Sequence, residues 1–173
     1  MIEIVIRNSI IHEGTRRVRK VKDLKLRKAE KKDCRFLFDL RNEEEVRKSS
    51  FQAQPIPYEH HEMWFNGKMS GEQSKIFILE LGQRPVGQVR MDICGEKAEI
   101  SYALCKAVRG HGYSKWMLSE LERRVRGEGW CSGFVAEVKR ENMASRKIFQ
   151  SLQYQETVME YGYLYEKNWE NDS

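Results

Sequence analysis

The sequence predicts a mixed α/β (α+β) domain in which a mostly antiparallel central sheet is flanked by about four helices. Three observations carry this. The segments KIFILEL (75–81), PVGQVRMDIC (85–94) and AEISYAL (98–104) read as strands that follow one another across short glycine-containing turns. Residues 113–126 place Trp116, Met117, Leu118, Leu121 and Val125 at helical spacing, a strong amphipathic helix. Downstream, a short apolar strand, a second amphipathic helix and two aromatic strands complete the order β-α-α-α-β-β-β-α-β-α-β-β, the second helix being short.

Each element has its own signal. Residues 1–22 are an N-terminal lead: residues 1–6 allow a strand and TRRVRKVK allows its extension, or the whole segment lies outside the main fold. The domain proper is expected over 23–168. LKLRKA (24–29) alternates as a strand does, and residues 31–40 carry Cys34, Phe36, Leu37 and Leu40 at helical spacing. Asn42 is expected to cap a short helix whose first turn holds Glu43 to Glu45. The prolines of QPIPY end it. Residues 58–69 then read as a helix with Trp64 and Phe65 on its buried side. The turns Gly82-Gln83-Arg84 and Gly95-Glu96 separate the three central strands. GFVAEV (133–138) is a buried strand. Asn142 opens a helix with Ala144, Ile148, Phe149 and Leu152 facing inward, and strands near 154–159 and 161–166 follow.

Composition bounds the function. At 173 residues and 40% apolar, the chain is long enough for one domain with a real core. No apolar run approaches a membrane span, and the start lacks the pattern of a signal peptide. Cys34, Cys94, Cys105 and Cys131 are scattered without a CxxC pair, so they read as reduced cysteines of a cytoplasmic protein rather than a disulfide frame or zinc site. No metal is expected. The net charge of +5 is concentrated in residues 1–32, which hold eleven Lys/Arg against four Asp/Glu. That lead has no interleaved aromatics to stack bases, so it reads as a solvated segment rather than a nucleic-acid arm.

The stretch VRGHGYSKWML (108–118) is the strongest chemical signal. It runs from a strand through a glycine-rich turn into a helix N-terminus. The unpaired amides of a first helical turn and the positive end of its dipole suit a phosphate. Gly110 and Gly112 let the backbone approach an anion and take positive φ, and Arg109 offers a cation with two donors for phosphate oxygens. It is no Walker loop, because no GK[ST] follows, and no Rossmann fingerprint, because the third glycine is missing.

Arg109-x-x-Gly112-x-Ser114, after AEISYAL and before a long amphipathic helix, resembles the acetyl-CoA motif of the GNAT N-acetyltransferases. Ser114 departs slightly from the Gly or Ala usual there. VAEVKRENMASRKIFQSLQY resembles the same family's strand, Asn-x-x-Ala/Ser and helix: Asn142, Ser145, Leu152 and Tyr154 fit, while Gln153 sits where glycine is usual. The resemblance covers residues 24–166 and implies a sheet that splays between the strands at 98–104 and 133–138, with the pantetheine arm of acetyl-CoA in the splay. It places the pyrophosphate on the amides of Arg109, Gly110, His111, Gly112, Tyr113 and Ser114, the pantetheine on Asn142, and the adenosine phosphates near Arg146 or Lys147, which are otherwise a solvated helix face.

The implied chemistry is direct attack of a neutral amine on the thioester. A backbone N–H near Leu104 and Cys105 would hold the oxyanion. Glu99 and His61 are the candidate bases; their plainer readings are an exposed strand carboxylate and a helix-surface histidine. Many relatives carry a tyrosine seven residues after the Asn as general acid to the thiolate. Here that residue is Phe149, better read as packing beside the acetyl group or in the core.

For the acceptor, LRNEEEVRKSSFQAQPIPYEHHEMWF resembles the acetyltransferases of pseudaminic acid biosynthesis, through Arg41-Asn42, Val46-Arg47, Ser50-Phe51, Ile56, His61, Trp64 and Phe65. VGQVRMDICGEKAEISYAL resembles their Gly-Gln-x-Arg strand. This implies a UDP-linked 4-amino-4,6-dideoxy sugar as acceptor. Arg41, Arg47 and Arg90 would then meet phosphates, with Asn42 and His61 beside them, and Trp64 or Phe51 would stack the uracil or line the sugar's methyl face. Against this, Trp64 and Phe65 also read as helix core, and Arg41 as a partner of Glu44 or Glu45. A protein N-terminal acetyltransferase of the ribosomal type and a non-catalytic acyl-CoA-binding module stay open, as does a homodimer. No nucleic acid or membrane partner is expected.

Overall fold

A computed structural model describes residues 23–169. The expectations for residues 1–22 lie outside the described residues. Strand β1 (Leu24–Lys28) leads through a 3-10 turn (Lys31–Asp33) into α1 (Cys34–Asn42), α2 (Glu44–Ser49) and α3 (Tyr58–Ser70). Strands β2 (Ser74–Leu81), β3 (Arg84–Cys94) and β4 (Lys97–Leu104) form the central meander. Then come α4 (Tyr113–Glu128), β5 (Gly133–Lys139), α5 (Met143–Ser151), β6 (Gln155–Met159) and β7 (Gly162–Asn168).

The seven strands form one sheet in the order β1-β2-β3-β4-β5-β7-β6. Every pairing is antiparallel except β4 with β5. That parallel pairing holds only from Lys97↔Gly133 to Glu99↔Val135. Beyond Glu99 the two strands part, which opens the sheet at its middle where the resemblance implied a splay.

Alternation along the strands sorts side chains onto two faces. One face buries Phe77, Val89, Met91, Ile100, Phe134 and Val138 under Met117, Leu118 and Leu121 of α4 and Phe149 of α5. The other packs Ile76 and Ile78 against Leu37 of α1 and Phe65 of α3. Around that second, smaller core the same face of β3 and β4 is polar, with Gln88, Arg90, Glu99 and Ser101 left as a floor. Gly87 is required where β3 passes β4: a Cβ there would lie 2.4 Å from Leu104 Cδ2 and 2.8 Å from the Ala103 carbonyl.

Two local expectations are corrected. Asn42 is the last residue of α1 rather than the cap of α2, whose N-cap is Glu43. Trp64 is not core: it is 38% exposed, against 1% for Phe65, because α3 turns only one narrow side to the sheet. Just past β7 the Trp169 indole is buried and donates to the Cys131 carbonyl at 3.0 Å.

Candidate active site

A cleft of about 1040 Å³ opens at the splay and runs from the N-termini of α4 and α5 to the inner sides of α1 and α3. It brings together Arg41, His61, Trp64, Arg90, Glu99, Leu104, Arg109, Gly110, Ser114, Asn142, Ser145 and Phe149 from the expected set. Asn42, Arg47, Cys105, His111, Gly112, Tyr113 and Arg146 do not line it with their side chains.

The cofactor half is made chiefly of backbone. Gly110 and Gly112 both take left-handed φ, 78° and 79°. A Cβ at either would meet nothing within 4 Å, so conformation and not crowding is the reason for glycine. Gly112 is the N-cap of α4 and offers no side-chain cap, which leaves the first-turn amides of Tyr113, Ser114 and Lys115 unused. The Tyr113 ring is buried in the core and His111 is exposed, so only their backbones can serve an anion. Asn142 caps α5: its Oδ1 accepts the Ser145 N–H at 3.1 Å, and its Nδ2 has no partner among the described residues. An open glycine cradle, free helix-start amides, a free amide nitrogen and a parted strand pair together fit the pyrophosphate and pantetheine of a CoA thioester.

Of the two amides expected near the thioester carbonyl, only one is free of a ladder partner among the described residues. Cys105 N–H donates to the Val86 carbonyl at 2.8 Å, continuing the β3–β4 ladder. Cys105 is therefore spent and drops from the expected pair. Antiparallel alternation turns the Leu104 amide the other way, into the splay. The Leu104 carbonyl agrees, for it accepts Arg109 Nε at 2.9 Å from that side.

The Arg109 guanidinium, expected at the phosphate, is already engaged by protein groups. Besides Leu104, it pairs with Glu43 at 2.8 Å and with Glu45. It is a strut tying the glycine turn to the start of α2. Arg146 is engaged likewise. Its guanidinium lies 3.8 Å from the centroid of the Tyr163 ring and near Glu156, turned toward β6 and β7.

The acceptor half is built from side chains, several already employed. Arg41 Nη2 donates to the Gln52 carbonyl at 2.6 Å. Asn42 binds Ile56 twice, Nδ2 to its carbonyl at 3.1 Å and Oδ1 from its N–H at 3.0 Å. Arg47 donates to the Ala53 and Asn42 carbonyls, both at 3.2 Å. The three residues expected to meet substrate thus hold residues 50–57 as a wall of the cleft, a role invisible without the loop's position. Arg41 is only partly spent: its Nη1 is buried without a partner among the described residues, and burial, with Arg47 nearby, holds its pKa below the ordinary value.

Arg90 sits over the Trp64 ring at 5.4 Å and pairs with Asp92 at 2.9 Å. His61 is 2% exposed among Phe38, Trp64 and Phe65, with both ring nitrogens unpartnered among the described residues. Burial, helped by the Arg41 charge and opposed by the Cys34 backbone, pushes its pKa down. Glu99 is exposed on the floor at the last position where β4 pairs with β5.

Among the lining residues that sequence reading did not single out, two bear on the chemistry. Glu137 of β5 is exposed on the same face as Glu99. Tyr102 of β4 lines the cleft and donates to Ser145 Oγ at 3.0 Å. Alternation within GFVAEV pointed to the first, and nothing in the sequence pointed to the second. Among the described residues no group of three or more His, Cys, Asp or Glu could hold a metal, and no helix is long and apolar enough to cross a membrane.

Residues 23–155 match the Acetyltransferase (GNAT) domain family, and the chain belongs to that family of acetyltransferases. Solved structures agree in fold. A RimL ribosomal L7/L12 alpha-N-protein acetyltransferase in complex with coenzyme A is 19% identical, covers 87% of this chain and 96% of its own, and superposes with a TM-score of 0.78. The spermidine N-acetyltransferase from Vibrio cholerae with CoA and spermine gives 17%, 84%, 94% and 0.74 for the same quantities. YncA, a putative acetyltransferase from Salmonella typhimurium with acetyl-CoA, gives 18%, 87%, 95% and 0.70. Comparison with curated protein sequences gives no match.

Proposed function

We propose that the chain is an acetyl-CoA-dependent N-acetyltransferase whose acceptor is the 4-amino group of a UDP-linked 4-amino-4,6-dideoxy sugar of the pseudaminic acid type. The observation that carries this is the walled acceptor half. Arg41, Asn42 and Arg47 fix the 50–57 segment across it, which suits a compact acceptor better than an extended peptide. Arg41 Nη1 is left to meet a phosphate oxygen, and Trp64 with Arg90 forms a cation–aromatic corner for a flat base.

Acetyl-CoA supplies an activated acetyl thioester. The first-turn amides of α4 hold its pyrophosphate, and Asn142 Nδ2 holds the pantetheine. The Leu104 amide faces the carbonyl oxygen and stabilises the charge that grows there. Glu99, exposed on the floor, receives the proton that the amine gives up; His61, enclosed by three aromatic rings, shapes the wall. Nucleotide contacts remote from the reacting carbon position the amine.

A second reading has one observation in its favour. Glu99 and Glu137 are exposed, without ion-pair partners among the described residues, on one face of the cleft. Two such carboxylates suit a cationic acceptor, a peptide N-terminus or a polyamine. The assay is CoA release with the UDP-4-amino sugar, an alanine- or serine-initiated peptide and spermidine in parallel. The sugar nucleotide is expected to turn over best, with free UDP competing against it and not against acetyl-CoA. Efficient turnover of the peptide or spermidine, with none of the sugar nucleotide, overturns the acceptor assignment.

A further inference from the structure

Strands β4 and β5 part beyond Glu99, and each bank of that split reaches with a cation to the same short helix. From the turn after β4, Arg109 pairs with Glu43 at 2.8 Å and with Glu45, and Lys106 lies 3.4 Å from Glu45. From the other bank, Lys139 is the last residue of β5, and its Nζ donates to the Lys48 carbonyl at 3.0 Å. One bank therefore holds the N-terminal end of α2 and the other holds its C-terminal end. The polarity suits the helix dipole. Carboxylates gather at the positive end, and a cation meets a last-turn carbonyl that has no partner within the helix. The dimensions suit it too. A split that takes an extended arm between two strands is about two strand spacings wide, or ~10 Å. The six residues of α2 rise about 9 Å. None of the six is buried, so charge rather than core packing fixes α2 across the split. Glu45, Val46 and Ser49 line the cleft on that side.

We infer that α2 is a clasp, latched by charge to both banks of the split, that shields the thioester from bulk water and unlatches to admit the acceptor. Lys139 and the Glu43–Glu45 pair are its positioning residues. Each latch is weak by itself, as exposed ion pairs are, which suits an element that opens and closes at every turnover. The latches differ in kind. The one on the β4 side is an ion pair and is screened by salt, whereas the one on the β5 side sets a cation on a carbonyl and is screened less. The glycine turn and the first-turn amides of α4 keep their geometry whether the clasp is open or shut, because their conformation is local. The inference rests on acetyl-CoA lying in the split and not on the identity of the acceptor.

Hydrogen–deuterium exchange of the full chain reads the clasp directly. Amides of α2 should exchange about tenfold faster in about 1 M NaCl than in about 0.05 M, while those in the buried turns of α4 hold. Lys139→Met should speed α2 exchange about fivefold at low salt, and Lys139→Arg should restore it. Glu43→Gln combined with Glu45→Gln should speed it as much and remove most of the salt response. Hydrolysis of bound acetyl-CoA reads the shielding. Water adds to the carbonyl carbon, the C–S bond breaks, and acetate and CoA leave. At saturating acetyl-CoA without acceptor, Lys139→Met and the double glutamine variant should release CoA about fivefold faster than the unaltered protein, and Lys139→Arg should not. Exchange in α2 that neither salt nor these variants change overturns the inference, because something other than charge then fixes the helix. Faster exchange with unchanged hydrolysis overturns the shielding role. Failure of the sugar-nucleotide reading leaves both readouts untouched.

Discussion

The two halves of the cleft are made from different materials. The cofactor half uses backbone: two left-handed glycines, the first-turn amides of α4, and the Leu104 N–H released where the β4–β5 pairing ends. The acceptor half uses side chains, and Arg41, Asn42 and Arg47 reach 6 to 14 residues along the chain to hold one loop. A backbone site is set by local conformation and resists change in the side chains around it. A side-chain site depends on partners, and its cations do structural work before any ligand arrives.

The sharpest way to break this contrast is Gly112→Val. The new Cβ meets no neighbour, so the damage comes from φ of 79°, which costs a non-glycine residue about 1–2 kcal/mol and a β-branched one more. The chain is expected to relieve this by turning the α4 amides away from the anion. Acetyl-CoA affinity should fall about 100-fold, with only a few degrees of change in thermal midpoint. Calorimetric titration beside a melting curve checks both, and an unchanged affinity removes the turn from the cofactor site.

Asn42→Ala addresses the other half. It deletes both hydrogen bonds to Ile56 and leaves a half-buried amide and carbonyl without partners. The 50–57 segment should loosen, raising the acceptor KM about tenfold while acetyl-CoA affinity stays within about twofold. Steady-state kinetics with each substrate varied separates the two. An equal loss on both sides would mean that the halves are one mechanical unit.

The same contrast explains what was legible in the sequence. The order of elements, the splay strands and the glycine turn follow from short-range rules of alternation, helical spacing and positive φ, and they read correctly to within a few residues. Asn142 was legible because a helix cap lies next to its helix. The pairing of Arg109 was not legible for the opposite reason: its partners Glu43 and Glu45 are more than 60 residues away, and a cation beside glycines looks the same whether it meets phosphate or carboxylate. The loop contacts of Arg47 and Asn42 were not legible because the carbonyls they hold belong to a loop with no periodic pattern. Tyr102 carried no signal because its meaning comes from Ser145, which only the fold places beside it.

Gln153 gives a smaller effect that a short-range rule does foresee. It occupies a position where glycine is usual in the resemblance, and it is the only non-glycine with positive φ among the described residues, at 63°. Gln153→Gly should relieve about 1 kcal/mol of strain, less part of that for the greater freedom of glycine in the unfolded chain. Chemical denaturation should show a modest rise in midpoint at constant slope. A drop would place the glutamine side chain in a role that outweighs its backbone.

The smallest expected effect is a pH dependence at His61, on the boundary between wall and core. Its pKa is lowered by burial among Phe38, Trp64 and Phe65 and by the Arg41 charge. The unfolded chain therefore binds a proton near about pH 6.5, where the folded chain does not. Between the lowered folded value and about 6.5 the unfolded state holds more protons, so folding stability rises with pH across that window and levels off above it. His61→Phe keeps an aromatic ring among aromatic neighbours and removes the titration. Its stability should vary less than that of the unaltered protein from about pH 5 to pH 7, by denaturation at several pH values. Identical pH profiles would mean that the folded histidine takes up its proton as readily as the unfolded one, and that the wall of the acceptor half is wetter than its packing indicates.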